Sequence, residues 1–371
     1  MKILVDKDTL AKVLDEIAPI ACRRTTLPIL STVLLSATAT GATLTATDLE
    51  VRVTKRLDCT VVEAGATLLP CRTVTEWVGD CGEGEMEIEA TDSDVSMRIP
   101  GHGKLKLKTL PVDEYVPAPE CKASTVGEVD WAPLNKILAC RARLGTDMDM
   151  ERFRHVSIIV EDGRIMACAS DRRRLGLIAI TPVSLGKFRG EMLVHGKAAE
   201  MLADAGTVTF LQSDKHLLFN QDGSEWLFAK PNDRPVPWKA MVEGLVALGG
   251  CTVVREELLE AVRGAHCLRQ LEGHVRILIE SGDDVMLLTA QTPEGAFSAR
   301  VATGRLLPWE PVEAPSDHLL SFLNAAKDDT VVFTFSEQAR PMKLQIGDTT
   351  FINSVFPPSR KSVNQEAPVN A

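Results

Sequence analysis

Three pairs of acidic residues are the first candidates for chemistry in this sequence. They are Asp92 with Asp94, Asp147 with Asp149, and Asp283 with Asp284. Carboxylate oxygens are the ligands that hard divalent cations prefer, so each pair could hold a metal ion. Each pair also lies in a short polar stretch that is typical of a solvated turn. We favour the turn interpretation and expect no metal site.

The usual signatures of catalysis and of nucleotide binding are absent from the sequence. It contains no glycine-rich phosphate loop, no dinucleotide fingerprint, no nucleophile elbow and no His-Glu-x-x-His zinc motif. The seven histidines do not cluster, and the nine cysteines include no Cys-x-x-Cys pair, which indicates reduced thiols rather than a zinc centre. We therefore predict a protein that is not an enzyme and that needs no cofactor.

Composition indicates a soluble, multidomain, globular chain. Of its 371 residues, 45% are apolar and 25% are charged, and this length allows about two to four domains. No apolar run reaches the ~18 residues of a membrane-spanning helix, and the N-terminus lacks the apolar segment of a signal peptide. We expect a cytoplasmic protein.

The elements that must position any site repeat three times along the chain. Apolar stripes with helical spacing predict a first helix in each third of the chain, at Lys7–Ala18, Trp131–Leu144 and Val254–Leu268. They also predict a second helix in each third, at Cys71–Cys81, His195–Ala205 and Ser316–Lys327. Alternating apolar and polar residues predict strands between and after these helices.

Three similar α+β domains, each with two helices packed on β-sheets, are the simplest account of this period, because solenoid units are shorter. A proline-containing stretch, 111–127, and a glycine-containing stretch, 242–250, are the predicted linkers. The predicted domains comprise residues 1–121, 122–247 and 248–371, and the last ends in a polar tail over about 361–371.

The net charge of −10 argues, by itself, against binding to nucleic acid, because phosphate contacts need lysine and arginine. The distribution of charge matters more than its sum. A basic lining inside an acidic exterior would let a protein enclose DNA without adhering to it.

Several motifs, in this order and spacing, resemble those of one protein family. They are R-x-T-L-P-I-L at 24–30, T-D-L-E at 47–50, T-L-P-x-x-E-Y at 109–115, A-S-D-x-x-R-L at 169–175 and F-P at 356–357. The chain is similar over essentially its whole length to the bacterial DNA sliding clamp, the beta subunit of DNA polymerase III.

The resemblance implies three clamp-type domains per protomer and a head-to-tail dimeric ring whose helices line the hole. Such a homodimer is a processivity factor that encircles double-stranded DNA without reading its sequence and tethers the replicative polymerase. The implied partners are the alpha subunit of DNA polymerase III, the clamp loader and other proteins with clamp-binding motifs. The resemblance implies no membrane association.

Two alternatives stay open at the level of the sequence. One is a divergent, specialised clamp paralogue, associated with a phage, a plasmid or resistance, whose partner pocket is altered. Arg172 and Arg173 favour it, since they replace a small residue and a histidine of the family motif. The other is an enzyme built on repeated α+β domains.

Basic residues on or beside the repeated helices are the candidate DNA contacts, and the resemblance supports Arg24, Arg72 and Lys197 most directly. The full predicted set is Arg24, Arg72, Lys136, Arg141, Arg143, Lys197, Arg255, Arg263 and Lys327.

The resemblance also implies a hydrophobic groove that binds short peptides of client proteins. Its walls, carried over residue by residue, are His155, Ser170, Arg172, Arg174, Leu175, Pro237, Val242, Pro341, Lys343, Phe356, Pro357 and Pro358. We expect Leu175, Pro237, Val242 and Phe356 to form an apolar floor, with positive charge at the rim. The alternative is that these apolar groups only seal a domain junction.

The strand Lys104–Lys108 alternates lysine with leucine, which is typical of a protected edge strand. The resemblance implies that this edge closes the ring. Leu105 and Leu107 would then pack on His266, Cys267 and Leu268 of a second copy, at the end of a domain 3 helix and beside the strand that follows it.

Overall fold

The structure is a computed structural model that describes residues 1–21, 25–101, 103–142, 152–269, 275–337 and 341–358. In these ranges the chain forms mostly antiparallel strands, with short helices between them. No helix in the described ranges is long and apolar enough to cross a membrane.

The described helices are α1 (Lys7–Ile17), α2 (Cys71–Asp80), α3 (Asn135–Leu138), α4 (Gly196–Ala205), α5 (Trp238–Glu243), α6 (Arg255–His266) and α7 (Ser316–Ala325). Five of these seven described helices, α1, α2, α4, α6 and α7, match the predicted ones closely. Helix α3 is shorter than predicted. It follows a one-turn 3₁₀ helix at Ala132–Leu134, and the backbone N–H of Ala142 already bonds to the carbonyl of Phe153. Helix α5 was not predicted, and only its last two residues overlap the predicted linker at 242–250.

One compact unit of the chain consists of Met1–Glu128, Ser184–Lys187 and Thr207–Lys230. Its strands belong to two sheets. The first has the order β5 (Thr60–Glu63), β1 (Lys2–Asp6), β7 (Glu85–Ala90), β8 (Asp94–Ile99), β9 (Gly103–Lys108). The second has the order β14 (Pro182–Leu185), β10 (Ser124–Asp130), β16 (Thr207–Gln212), β17 (His216–Gln221), β18 (Ser224–Ala229), β4 (Val51–Leu57), β3 (Gly41–Thr47), β2 (Thr32–Thr38), β6 (Gly65–Pro70).

The other compact unit consists of Val129–Val183, Phe188–Gly206 and Pro231–Ala371. It contains one twelve-stranded sheet. The strand order is β15 (Gly190–Val194), β11 (Val156–Glu161), β12 (Arg164–Ser170), β13 (Arg174–Ile180), β26 (Thr349–Asn353), β25 (Met342–Ile346), β24 (Thr330–Phe335), β19 (Gly249–Val254), β22 (Gly295–Leu307), β21 (Val285–Thr292), β20 (Arg276–Ser281), β23 (Val312–Pro315).

The same local strand order occurs three times, which confirms the predicted repeat of an α+β plan. The order β5-β1-β7-β8-β9 recurs as β14-β10-β16-β17-β18. It recurs again as β22-β19-β24-β25-β26, in which β22 takes part through its second half, residues 303–307. The order β6-β2-β3-β4 recurs as β15-β11-β12-β13 and β23-β20-β21-β22. A pair of helices packs together in each repeat: α1 with α2, α3 with α4, and α6 with α7.

Two strand pairs join consecutive repeats into continuous sheets. Strand β18 pairs with β4, and β26 pairs with β13, both antiparallel. Compactness therefore does not follow the sequence repeats, and the domain limits at residues 121 and 247 stay a prediction.

Candidate functional site

One face of the twelve-stranded sheet carries several of the predicted pocket residues. Leu175 on β13 lies directly opposite Ser170 on β12 and Ile352 on β26, and Ile352 lies opposite Lys343 on β25. Directly opposite residues of paired antiparallel strands point to the same side of a sheet. Ser170, Leu175 and Lys343 therefore share one face.

Helix α5 and the residues around it cover this face. Leu175 and Ile352 belong to a buried apolar cluster with Trp238, and Met241 and Val242 pack against it. Leu175 is fully buried, and Trp238 is only 9% exposed. The structure thus brings together the predicted residues Leu175 and Val242. Pro237, which is exposed, immediately precedes the helix.

Sequence reasoning missed several members of this cluster, among them Phe153, Ile159, Trp238 and Ile352. The helical spacing of Trp238, Met241, Val242 and Leu245 was the available signal for α5. The glycines and small residues that follow instead favoured the prediction of a linker at 242–250.

The rim of the cluster is positively charged at two predicted positions. Arg172 is exposed and lies in a tight turn with a φ of 74°, where its backbone N–H donates to the Ser170 hydroxyl. Lys343 and Pro341 are half-buried at the start of β25. The charge expected at this rim is therefore present.

The placement of Arg174 corrects the prediction. Its guanidinium forms an ion pair with Asp171, with 2.7 Å between Nη2 and Oδ2, and Nη1 donates to the Ser321 hydroxyl at 3.1 Å. Successive residues of a strand point to opposite faces of the sheet. Since Leu175 points into the cluster, Arg174 points away from it.

Phe356 also departs from the prediction, since it is not among the described residues of the apolar cluster. Its backbone N–H and carbonyl both bond to Glu313 at 2.9 Å, and the Arg276 guanidinium lies 4.0 Å from the centre of its ring. These contacts hold Phe356 beside β23, so it does not form part of the floor. Pro357 follows it and is exposed, and Pro358 is half-buried.

His155 lies immediately before β11. Its side chain is buried, and its ring centre lies 5.7 Å from that of His195. Phe153, two residues earlier, supplies the apolar side chain that enters the cluster.

Two groups near the cluster have pKa values shifted by burial. Burial raises the pKa of the Cys168 thiol, so this member of the cluster stays protonated and inert at neutral pH. Burial also lowers the pKa of His318, whose Nδ1 lies 2.7 Å from Oδ1 of Asn353 at the end of β26. The neutral imidazole therefore packs behind the β13–β26 junction.

The predicted DNA contacts fall into two classes, and Arg24 and Arg143 lie outside the described residues. The exposed class contains Arg72, Arg263 and Lys327. Arg72 opens α2 and pairs with Glu76 at 2.8 Å, with 80% of its side chain exposed. Arg263 lies in the last turn of α6, and Lys327 follows α7.

The second class is held in contacts with the protein. Lys136 pairs with Asp348 at 2.8 Å, and Arg141, whose side chain is only 10% exposed, pairs with Glu200. Arg255 donates to the carbonyl of Leu323 and pairs with Glu256, while Lys197 is half-buried in the first turn of α4. Arg141 and Arg255 thus differ from the expected solvent-facing charges because local partners engage them.

Strand β9 is an edge strand, which agrees with the prediction. Leu105 and Leu107 are half-buried on it, and the three lysines between and beside them are exposed.

The predicted partner surface needs one correction. Strand β20, which follows α6 in the chain, is paired on both sides, with β21 and β23. Among the described residues, the open edge belongs instead to Gly295–Ala302 of β22, which pairs with β21 on one side only.

The predicted residues at the end of α6 lie near that open edge. A Cβ placed on Gly295 would lie 3.7 Å from Leu268. Cys267 is exposed, and His266 and Leu268 are half-buried.

Comparison with known proteins bears on this arrangement. Residues 1–119 match the family model of the DNA polymerase III beta subunit, N-terminal domain. The chain is 23% identical to the beta sliding clamp of Halalkalibacterium halodurans over 382 aligned positions, which cover 97% of this chain and 100% of that protein. It is 26% identical to the beta sliding clamp of Proteus mirabilis, over 48% of this chain and 50% of the relative.

Solved structures show the same fold. The DNA polymerase sliding clamp of Bacillus subtilis superposes with a TM-score of 0.88 at 16% identity, over 97% of this chain and 100% of that chain. The sliding clamp of Pseudomonas aeruginosa superposes with a TM-score of 0.85 at 18% identity, over 96% and 100% of the two chains. The chain is thus similar in sequence and in fold to the bacterial DNA sliding clamps.

The sliding-clamp resemblance extends through all three repeats, because the aligned structures cover nearly the whole chain.

Proposed function

We propose that the chain is a protomer of a DNA sliding clamp, a non-catalytic processivity factor that acts in the cytoplasm. The observation that carries this proposal is the strand order. The repeated strand order leaves three equivalent places at which the edge strand of one repeat can pair with that of another. Two of them are joined within the chain, β18 with β4 and β26 with β13. The third pair, β9 and the first half of β22, is left open.

Closing the third pair requires another copy of the chain. A strand edge with unpaired N–H and C=O groups is a template for pairing, and head-to-tail addition closes a ring when the rotation permits it. We infer a homodimer, with six repeats around the hole, from the resemblance to the sliding clamps.

The ring would hold double-stranded DNA by topology rather than by sequence-specific contacts. Arg72, Arg263 and Lys327 offer exposed positive charge on or beside helices of the first and third repeats. A few such charges would contact phosphates loosely and allow sliding. We therefore propose these three residues, together with Lys197 and Arg24, as the principal DNA contacts.

The partners would be the alpha subunit of DNA polymerase III, the clamp loader and other proteins with clamp-binding motifs. The cluster under α5, with Leu175 and Val242 packed together and Lys343 at its border, is the proposed docking site. Tethering at this site would raise the local concentration of the polymerase at the primer end.

Retention on circular DNA tests the function. The purified protein, loaded by the cognate clamp loader, should stay on nicked circular duplex through a high-salt wash and should leave the same duplex once it is linearised. Native mass spectrometry should give the mass of two chains. Equal retention on circular and linear DNA, or a monomer at micromolar concentration, would contradict the proposal.

The DNA contacts are tested separately. Arg72→Ala combined with Lys327→Ala should reduce the slope of log K for DNA binding against log salt concentration by about two, and the dimer should stay intact. Glu260→Gln, an exposed change on α6, is the control. An unchanged slope in the double variant would remove these residues from the DNA-binding set.

A further inference from the structure

A cavity of about 590 Å³ opens beside the proposed docking site. The residues that matter for its chemistry are Ile159, Glu161, Glu191, Val236, Trp238 and Lys239. Ile159, Val236 and Trp238 also belong to the apolar cluster. The cavity and the proposed docking site therefore share a wall and form one continuous surface.

Strand register places a carboxylate at the end of this surface. Glu191 on the edge strand β15 lies directly opposite Ile159 on β11, so both side chains point to the face that carries the cluster. Partial burial of the carboxylate raises the pKa of Glu191 above its ordinary value, while the residue stays accessible to solvent.

Lys239 shows how the cavity accommodates a cation. Its ammonium nitrogen lies 2.9 Å from both carboxylate oxygens of Glu161 and 5.5 Å from the centre of the Trp238 ring. A carboxylate together with an aromatic face is a favourable site for an alkylammonium group. Asp162 and Arg189 are the other charged residues of the lining, so three carboxylates face two cations.

We propose that this cavity binds a lysine or arginine side chain of the client peptide, with the Glu191 carboxylate as its partner. The proposal rests on the proposed docking site and extends it. Lys343 lies at the other end of the proposed docking surface. It is five strands away from Glu191 in the order β15-β11-β12-β13-β26-β25.

The two ends of this surface carry opposite charges. Five steps between neighbouring strands span about 24 Å, which is the length of about seven extended residues. A peptide with apolar residues in its middle would therefore bind with its basic end at Glu191 and its acidic end at Lys343 and Arg172. The expected charge preference is thus two-sided, whereas the positive rim alone would favour acidic residues on the peptide.

Fluorescence anisotropy with three labelled peptides tests this assignment on the full-length protein. All three share a Leu-Leu-Phe core; one carries Lys before and Glu after the core, the second has these flanks exchanged, and the third has Gln at both ends. We expect one charged order to bind more tightly than the neutral peptide. Glu191→Gln should weaken that peptide by about twofold to fivefold and leave the neutral peptide unchanged.

Two further variants separate the cavity from the docking site. Val242→Ala should weaken all three peptides, because Val242 is half-buried at the surface of the cluster and its truncation removes the shared apolar contact. Glu260→Gln removes an exposed carboxylate of α6 outside the cavity and should change none.

Each other outcome has one meaning. If Val242→Ala weakens all three peptides and Glu191→Gln weakens none, the docking site stands and the cavity assignment fails. If Glu191→Gln weakens all three equally, Glu191 supports the sheet rather than the peptide, and the assignment also fails. If Val242→Ala changes nothing, the docking site itself is wrong.

Discussion

The β13–β26 junction and the open edge of β9 occupy equivalent places in the repeated strand order, yet their surfaces differ. At the junction, Leu175 and Ile352 are buried under α5, and the His318–Asn353 hydrogen bond lies at its other side. Along β9, two half-buried leucines alternate with exposed lysines. One position is closed within the chain, and the other would be closed by a second copy in the proposed dimer.

This difference in polarity follows from the risk of unwanted strand pairing, which only an open edge has. A junction closed within one chain never meets another strand, so it can be fully apolar. An open edge must resist pairing with unrelated strands, and lysines on the edge provide that protection. The leucines between them retain enough apolar surface for a specific contact.

The largest expected effect comes from breaking the open edge. Leu105→Asp combined with Leu107→Asp should convert the proposed dimer to monomers, because two carboxylates would be buried without partners in the interface. Sedimentation velocity at micromolar concentration measures the change. Val62→Asp is the matched control, since Val62 is 57% exposed on β5, the opposite edge of the same sheet. A dimer in the double variant would show that another edge closes the ring.

Breaking the closed junction should cost stability rather than association. Leu175→Ala removes a fully buried side chain and should lower the free energy of unfolding by about 2–5 kcal/mol. Urea denaturation in the monomeric double-variant background keeps association out of the measurement. Leu307→Ala, at a leucine that is 62% exposed, should change the free energy of unfolding by less than about 0.5 kcal/mol. A loss below about 1 kcal/mol for Leu175→Ala would mean that the cluster is loosely packed.

Acid should also weaken the closed junction. The folded-state pKa of His318 lies below its ordinary value of 6.5, mainly because the ring is buried. The unfolded chain therefore binds a proton first as pH falls below about 6.5, so this contribution to stability is complete above that pH and is lost below it. Thermal unfolding between pH 7.5 and 5.5 should show a steeper loss in the wild type than in His318→Gln. Equal slopes would show that His318 is protonated normally in the folded state.

The smallest effect is expected from the exposed charges of β9. Lys108 pairs with Asp94 at 3.0 Å, but its side chain is 84% exposed. Lys108→Gln should therefore change the free energy of unfolding by less than about 1 kcal/mol and leave the dimer intact. Chemical denaturation checks the first point and sedimentation the second. A larger loss would mean that the lysines hold the edge in place as well as protecting it.

The sequence by itself determined the elements and their repetition. Apolar residues at helical or alternating spacing are a local property of the chain, and α1, α2, α4, α6 and α7 begin and end within two residues of the predicted limits. The edge character of β9 was equally local, because the alternation of lysine with leucine is visible in five residues.

Only the tertiary structure decided which side chains meet. The register between β13 and β26 joins Leu175 to Ile352, which are far apart in the chain, and that register turns Arg174 to the opposite face. Backbone hydrogen bonds to Glu313 and the Arg276 guanidinium over its ring hold Phe356 in place, and no local sequence pattern predicts these contacts. A shift of one residue in pairing would exchange the two faces of a strand, so the composition of a site depends on long-range pairing more than on local propensity.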